Sequence, residues 1–208
     1  MAEKGNTKRE ILNAALDLFS LQGYEATSTA QIADAVGIRK ASLYSHFSSK
    51  QEILDELIKV TLDGYNKNSI FAKADWNDPS FTKNISDITP DAALQMVLGQ
   101  VKYILHDPQI SKSRRMLTIE QFQNTTLKAL QTKQNYTDVM RYFTGLMSFL
   151  IERGKLKSNN PEIMAAQFCL PISVWINLCD REPERESEVM GLIERHIRLF
   201  FSLYGAGK

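Results

Sequence analysis

Residues 27–50 read TSTAQIADAVGIRKASLYSHFSSK, and the fold turns on this stretch. Ser28-Thr29-Ala30-Gln31 has the form of a capping box, in which the serine hydroxyl accepts an amide hydrogen bond and the glutamine reaches back to the serine amide. Ile32, Ala33 and Val36 follow on one face, and Gly37 stands where a helix stop prefers left-handed backbone. After Ile38 a second short helix is predicted over 39–46, with Leu43 and Phe47 four apart on its inner side. Ser48 and Ser49 then precede Lys50-Gln51-Glu52, the start signal of a further helix.

A helix of about seven residues does not persist alone. The flanks supply the support. Thr7-Lys8-Arg9-Glu10 fits a second capping box, and Ile11, Leu12, Ala15, Leu18 and Phe19 share one apolar face up to a stop at Gly23. On the other side, Ile53, Leu54, Leu57, Ile58, Leu62 and Tyr65 line a helix from Ser49 to about Asn66. Two short helices at a glycine turn, braced by a longer helix on each side, fit a helix-turn-helix with one free face, and equally a small helical bundle with a solvated basic face. The charge agrees. From Ala35 to Gln51 there are Arg39, Lys40 and Lys50 and no acid, in a chain whose net charge is only +1.

Beyond Asn66 the chain reads as further helices and carries no repeat. Residues 71–89 are the most loop-like, punctuated by Asp75, Asn77, Asp78-Pro79, Asn84 and Thr89-Pro90. Helices are predicted from Pro90 to the break at Asp107-Pro108, from Ser111 to Phe122, from Thr125 to about Arg153, from Asn160 to about Asp180, and from Glu186 to Tyr204. Pro171 falls inside the penultimate helix, where a kink is expected. No alternating strand pattern of useful length occurs, so the fold class is all-α.

Composition excludes several other classes. The 208 residues are 43% hydrophobic and 24% charged, which rules out a mostly disordered chain. The longest uncharged stretch, Ile163 to Cys179, holds Gln167, Pro171, Ser173 and Asn177 and is short for a membrane span. Charged residues precede the first apolar run, so no secretory signal is visible and a cytoplasmic location is expected. Cys169 and Cys179 on one helix lie about 15 Å apart along its axis, too far for a disulfide. His46, His106 and His196 are scattered, so neither a metal site nor a cofactor is expected. No nucleophile–base pair or phosphate loop is present either, and an enzyme is not expected.

The segment Thr27 to Ile38, followed by Leu43 to Lys50, closely resembles the DNA-binding domain of the TetR/AcrR family of bacterial regulators. The resemblance runs without a gap from about Gly5 to Tyr65 and includes Phe19 and Gly23-Tyr24. Arg39 and Ala41 depart from it: a small polar residue and a glycine are frequent there. The resemblance implies a DNA-binding domain over 5–65, with the helix-turn-helix at about 28–47, and a helical effector-binding and dimerisation domain over 66–208. In that arrangement helix 39–46, with Arg39, Lys40, Ala41, Ser42 and Ser45, enters the major groove of double-stranded DNA. Arg39 and Lys40 are the candidates for base readout. Tyr44, His46 and Lys50 hold phosphates, while Thr27, Ser28 and Thr29 bond the other flank.

The same resemblance implies a homodimer through the last two helices and a small-molecule effector enclosed in the second domain. The final helix is apolar on more than one face, which a monomer's surface helix does not need. Val189, Ile193, Ile197, Phe200 and Tyr204 form its main stripe and are expected at the dimer interface. Candidate pocket residues are Tyr65, Met96, Gln100, Tyr103, Met116, Glu120, Gln123, Phe143, Met147 and Trp175. The expected function is a one-component transcriptional repressor that binds a palindromic operator and is released by a ligand. The helix after Ser49 would carry the signal by changing the spacing of the two DNA-reading domains. An activator, or a DNA-binding protein without an inducer, is the alternative.

Overall fold

Helix α1 spans Ala2–Ala26 in the structure, a computed structural model that describes residues 2–83, 85 and 88–206. Its start lies upstream of the expected cap. Thr7 is inside the helix, and Glu10 accepts a hydrogen bond from Asn6 at 2.7 Å. The expected stop at Gly23 is present as a break, because that residue leaves helical geometry at φ 83°, ψ 168°. Helix α2 (Thr29–Val36) has both halves of its capping box: Gln31 N donates to Ser28 Oγ at 3.2 Å, and Ser28 N donates to Gln31 Oε1 at 2.7 Å. Gly37 closes it in the left-handed region, its N–H reaching back to the Ala33 and Asp34 carbonyls.

Helix α3 covers only Lys40–Tyr44, shorter than the predicted 39–46. Arg39 supplies no side-chain cap, and residues 45 and 46 continue as a turn in which His46 N bonds to Leu43 O at 2.9 Å. Helix α4 spans Lys50–Asn68. Ser49 Oγ caps it by accepting from Glu52 N, and the Glu52 carboxyl accepts from both Ser48 N and Ser48 Oγ. Those hydrogen bonds hold the Glu52 carboxyl below the ordinary carboxylate range.

The stretch expected as loop forms two single-turn helices, α5 (Ile70–Lys73) and α6 (Pro79–Thr82), the latter capped by Asp78. Asn84, expected among the turn residues, lies outside the described residues. Helices α7 (Pro90–His106) and α8 (Pro108–Glu120) are separated by Asp107 alone. The helix predicted from Thr125 to Arg153 is interrupted. Helix α9 (Thr125–Thr132) passes through a π-helical turn at Lys133–Thr137 into α10 (Asp138–Glu152). The buried Asp138 carboxyl pairs there with Lys133 and, at 2.9 Å, with Arg141. Helix α11 (Pro161–Arg181) continues through Pro171, and α12 covers Glu186–Tyr204. No strand forms among the described residues.

The chain packs into two compact units, and they do not follow the boundary expected near residue 65. Residues 1–69 form the first unit together with 109–132. Its core joins Ile11, Leu16 and Phe19 of α1, Ile32 of α2, Leu43 and Phe47, and Ile53, Leu54 and Leu57 of α4. Met116 and Leu117 of α8 and Leu127 and Leu130 of α9 complete it. An ion pair from Lys112 to Asp17 also ties α8 to α1. Apolar burial between segments distant in sequence overrides the linear reading.

The second unit comprises 70–108 and 133–208. Its core includes Leu94 and Val101 of α7, Met147 and Leu150 of α10, Phe168 and Ile172 of α11, and Val189, Ile193, Ile197 and Phe200 of α12. By length and composition α11 could cross a membrane. Its residues Met164, Ala165, Phe168, Cys169, Ile172, Ile176 and Cys179 are nevertheless buried, as in a core helix. Both cysteines are thiols on that inner face, and burial pushes the Cys169 thiol up to about 11.

The expected dimer stripe is corrected by this packing. Val189, Ile193, Ile197 and Phe200 face inward within a single chain, and Tyr204 packs against the same cluster. The apolar side chains left exposed on these two helices are Ile163, Val174, Leu199 and Leu203.

Candidate nucleic-acid interface

Leu43 and Phe47 bury the inner side of α3 and its turn, and this directs Arg39, Lys40, Ala41, Ser42, Tyr44 and Ser45 outward. The Arg39 carbonyl accepts from Ser42 N and Leu43 N, while its guanidinium makes no hydrogen bond or ion pair among the described residues. Lys40 Nζ lies 6.0 Å from the centroid of the Tyr44 ring. The Tyr44 side chain is 45% exposed, with its hydroxyl 3.3 Å from Thr29 Oγ1. Residues 25–29, Tyr44 and 48–50 line an open cleft of about 470 Å³ beside the N-terminus of α2. Helix amides there offer partial positive charge to an anion. The Ser45 hydroxyl is engaged with Ser42 O at 2.7 Å, and His46 is half-buried.

Two of the expected DNA contacts are turned to another task. Thr27 is 1% exposed; its hydroxyl donates to Gly23 O at 2.7 Å and accepts from Gln22 Nε2. The Lys50 ammonium donates to Tyr24 O at 2.7 Å and to Thr27 O at 2.8 Å, and sits 4.1 Å from the Tyr24 ring centroid. A cation at a helix N-terminus opposes the dipole, and its use here is to hold the Tyr24 carbonyl at the end of α1 and the Thr27 carbonyl in the link to α2. Lys50 is therefore a strut between α1 and α4. Replacing Lys50 by Ala is expected to lower the stability of the chain by about 2 kcal/mol, from two charge-assisted hydrogen bonds and a ring contact. It should leave the slope of log affinity for DNA against log salt unchanged. A slope reduced by about 0.9 would return Lys50 to the phosphate contacts.

Tyr24, Gln51 and Glu120 complete the support and were not legible as parts of it. The Tyr24 hydroxyl donates to Gln51 Oε1 at 3.1 Å, and Tyr24 N donates to Glu120 Oε1 at 2.7 Å. Burial raises the Tyr24 pKa above the ordinary tyrosine value, assisted by the nearby Glu25, Asp55 and Glu120.

The residues expected around an effector do not converge on one core. Met116 and Glu120 are buried in the first unit, Gln123 is exposed on it, and Tyr65 is half-buried at the end of α4. Met96, Gln100 and Tyr103 lie on the exposed side of α7. Met147 is in the core of the second unit, with Phe143 and Trp175 packed against it. The aromatic centre of that unit also includes Trp76, whose ring lies 5.2 Å from Phe81 and 5.3 Å from Tyr142, centroid to centroid.

A short outward-facing helix, set on a glycine turn and carrying cations on its free side, defines a helix-turn-helix DNA-binding domain. Residues 11–57 match the model of the family described as bacterial regulatory proteins, tetR family. The HTH-type transcriptional repressor KstR2 of Rhodococcus jostii (strain RHA1) is 43% identical over 60 residues, which span 29% of this chain and 29% of that protein. The match thus covers less than a third of the relative's length. Over nearly the whole chain the fold is similar to that of a protein from Mesorhizobium loti described as a TetR-family transcriptional regulator. Its TM-score is 0.62 and its identity 21%, over 97% of this chain and 98% of that one. The SmeT–triclosan complex has a TM-score of 0.59 at 16% identity, over 96% and 92% of the two chains. Residues 11–57 thus match the DNA-binding domain of TetR-family regulators.

Proposed function

We propose that the chain is a one-component transcriptional repressor, not an enzyme, acting in the cytoplasm on a palindromic DNA operator as a homodimer. The observation that carries this reading is the free face of α3, where Arg39 and Lys40 stand exposed without an acidic partner. In this reading α3 enters the major groove. Arg39 and Lys40 reach base edges from its N-terminal end, with Ala41 and Ser42 beside them. Ser28, Thr29, Tyr44 and the amides at the start of α2 bond the phosphate backbone. KstR2, to which the chain is 43% identical over 60 residues, is a repressor.

The second unit encloses the effector in this reading, near Phe143, Met147 and Trp175, where aromatic side chains offer an apolar site. The complex of SmeT with triclosan, a protein of the same fold, supports a small-molecule ligand. The exposed side chains of Val174, Leu199 and Leu203 on α11 and α12 make the subunit contact.

Selection of bound sequences from a randomised duplex pool tests the proposal. A two-fold symmetric consensus is expected, and recovery of no consensus would overturn the reading. Arg39→Ala should relax preference at one base pair per half-site by about 1–3 kcal/mol. An equal loss of affinity at every position would place Arg39 on the backbone instead.

A further inference from the structure

We infer that Glu120, at the C-terminal end of α8, is a positioning residue for DNA binding. Its carboxyl oxygen replaces a helical acceptor at the break in α1 and thereby sets the turn that presents α2. The inference rests on reading the first unit as the DNA-binding unit.

The break at Gly23 takes the following residue out of the helical ladder, so Tyr24 N–H needs an acceptor from elsewhere. Glu120 supplies it across 96 residues of sequence, at 2.7 Å and from a side chain only 5% exposed. The fit is close: a Cβ at Gly23 would lie 3.0 Å from Glu120 Oε1 and 3.2 Å from Ile119 Cγ2. From Tyr24 the bonding runs on without a gap. Its carbonyl accepts from Lys50 Nζ and from Thr27 N, and the Thr27 carbonyl accepts from Lys50 Nζ as well. The next residue, Ser28, is the N-cap of α2, and Thr29 meets the Tyr44 hydroxyl. Glu120 therefore fixes one end of a chain of hydrogen bonds whose other end is the DNA-facing cleft.

The same residue closes α8, its carbonyl accepting from Gln123 N and Asn124 N. Any rotation or slide of α8 displaces the carboxyl from Tyr24 N. Helix α8 starts one residue after α7, with Asp107 between them. The hydrogen bond is thus placed to be made or broken by regulation without any change in α3 itself.

The experiment compares Glu120→Gln, Glu120→Asp and Glu120→Ala in the full chain, with a labelled random-sequence duplex as probe. Glutamine keeps an acceptor at the same reach and should bind as the wild-type chain does. Aspartate keeps the charge but falls short by a methylene, and alanine has no acceptor. Both should bind about tenfold more weakly, the weight of one lost hydrogen bond to a buried amide. The salt slope should stay unchanged in all three, because Ser28, Thr29 and Tyr44 are uncharged and release no counterions. Amide exchange of Tyr24 should be slow in the wild-type chain and Glu120→Gln and fast in the other two. Equal affinities across the series, or Glu120→Gln behaving as Glu120→Ala, would overturn the inference. If the alanine variant does not fold, the comparison of glutamine with aspartate still decides. A wild-type chain that binds no duplex overturns the functional reading instead, a separate outcome.

Discussion

Ile197→Asp is expected to unfold the second unit, whereas Leu199→Asp is expected to leave it folded and to separate the subunits. Ile197 is 0% exposed and lies on the inner face of α12 with Val189, Ile193 and Phe200. Losing such a side chain costs about 2–5 kcal/mol, and a buried carboxylate with no partner adds several more. Together these approach the whole stability of a domain, about 5–15 kcal/mol. Leu199 is two positions on, about 200° around the helix, and 57% exposed. Circular-dichroism melting and sedimentation of both variants test the pair. A cooperative melt of Ile197→Asp at the wild-type temperature would show that the inner face tolerates charge. A dimer that survives Leu199→Asp would move the subunit contact away from α12.

Gly23→Ala is expected to destabilise the chain by about 3 kcal/mol and to weaken DNA binding with it. Two effects add. The backbone at φ 83°, ψ 168° is a region in which side chains are strained. The new methyl group would also press on Glu120 Oε1 and Ile119 Cγ2. Gly37 is the internal control. Its φ of 74° and ψ of 28° are left-handed helical, and a Cβ there meets nothing within 4 Å. Gly37→Ala should therefore cost only about 1–2 kcal/mol. Urea denaturation ranks the two, and an equal or reversed order would mean that the contact with α8 carries no weight.

What could be read from the sequence was local chemistry. Ser28 and Gln31 lie within one helical turn of each other, and Gly37 closes the same short helix, so their residue types carry the geometry. The inward placement of Leu43 and Phe47 follows from their spacing, and the exposure of Arg39 and Lys40 from the lack of acids around them. Periodicity reveals a stripe without revealing what it faces. On α12 the ordered stripe through Ile197 turned inward, while the irregular surplus, Leu199 and Leu203, stayed outside. Lys50 was legible as a cation out of place at a helix start, but its partners, the Tyr24 and Thr27 carbonyls, are backbone atoms with no sequence signature. Glu120 looked like a polar group for a ligand because nothing along the chain connects it with Tyr24. The inclusion of α8 and α9 in the core of the first unit comes from tertiary burial, to which neighbouring residues give no clue.

Interleaving has a practical consequence for modular exchange. Transplanting residues 1–69 as a DNA-reading cassette would leave behind Met116, Leu117, Leu127 and Leu130, which fill the same core as Phe19 and Leu57. Such a graft carries an apolar scar and a Tyr24 amide without its acceptor. A chimera meant to join this reading head to a foreign sensor would have to bring residues 109–132 along, or replace their apolar side chains with equivalents from the host. The seam for recombination therefore lies at three points in the chain, after residues 69, 108 and 132, and not at one linker.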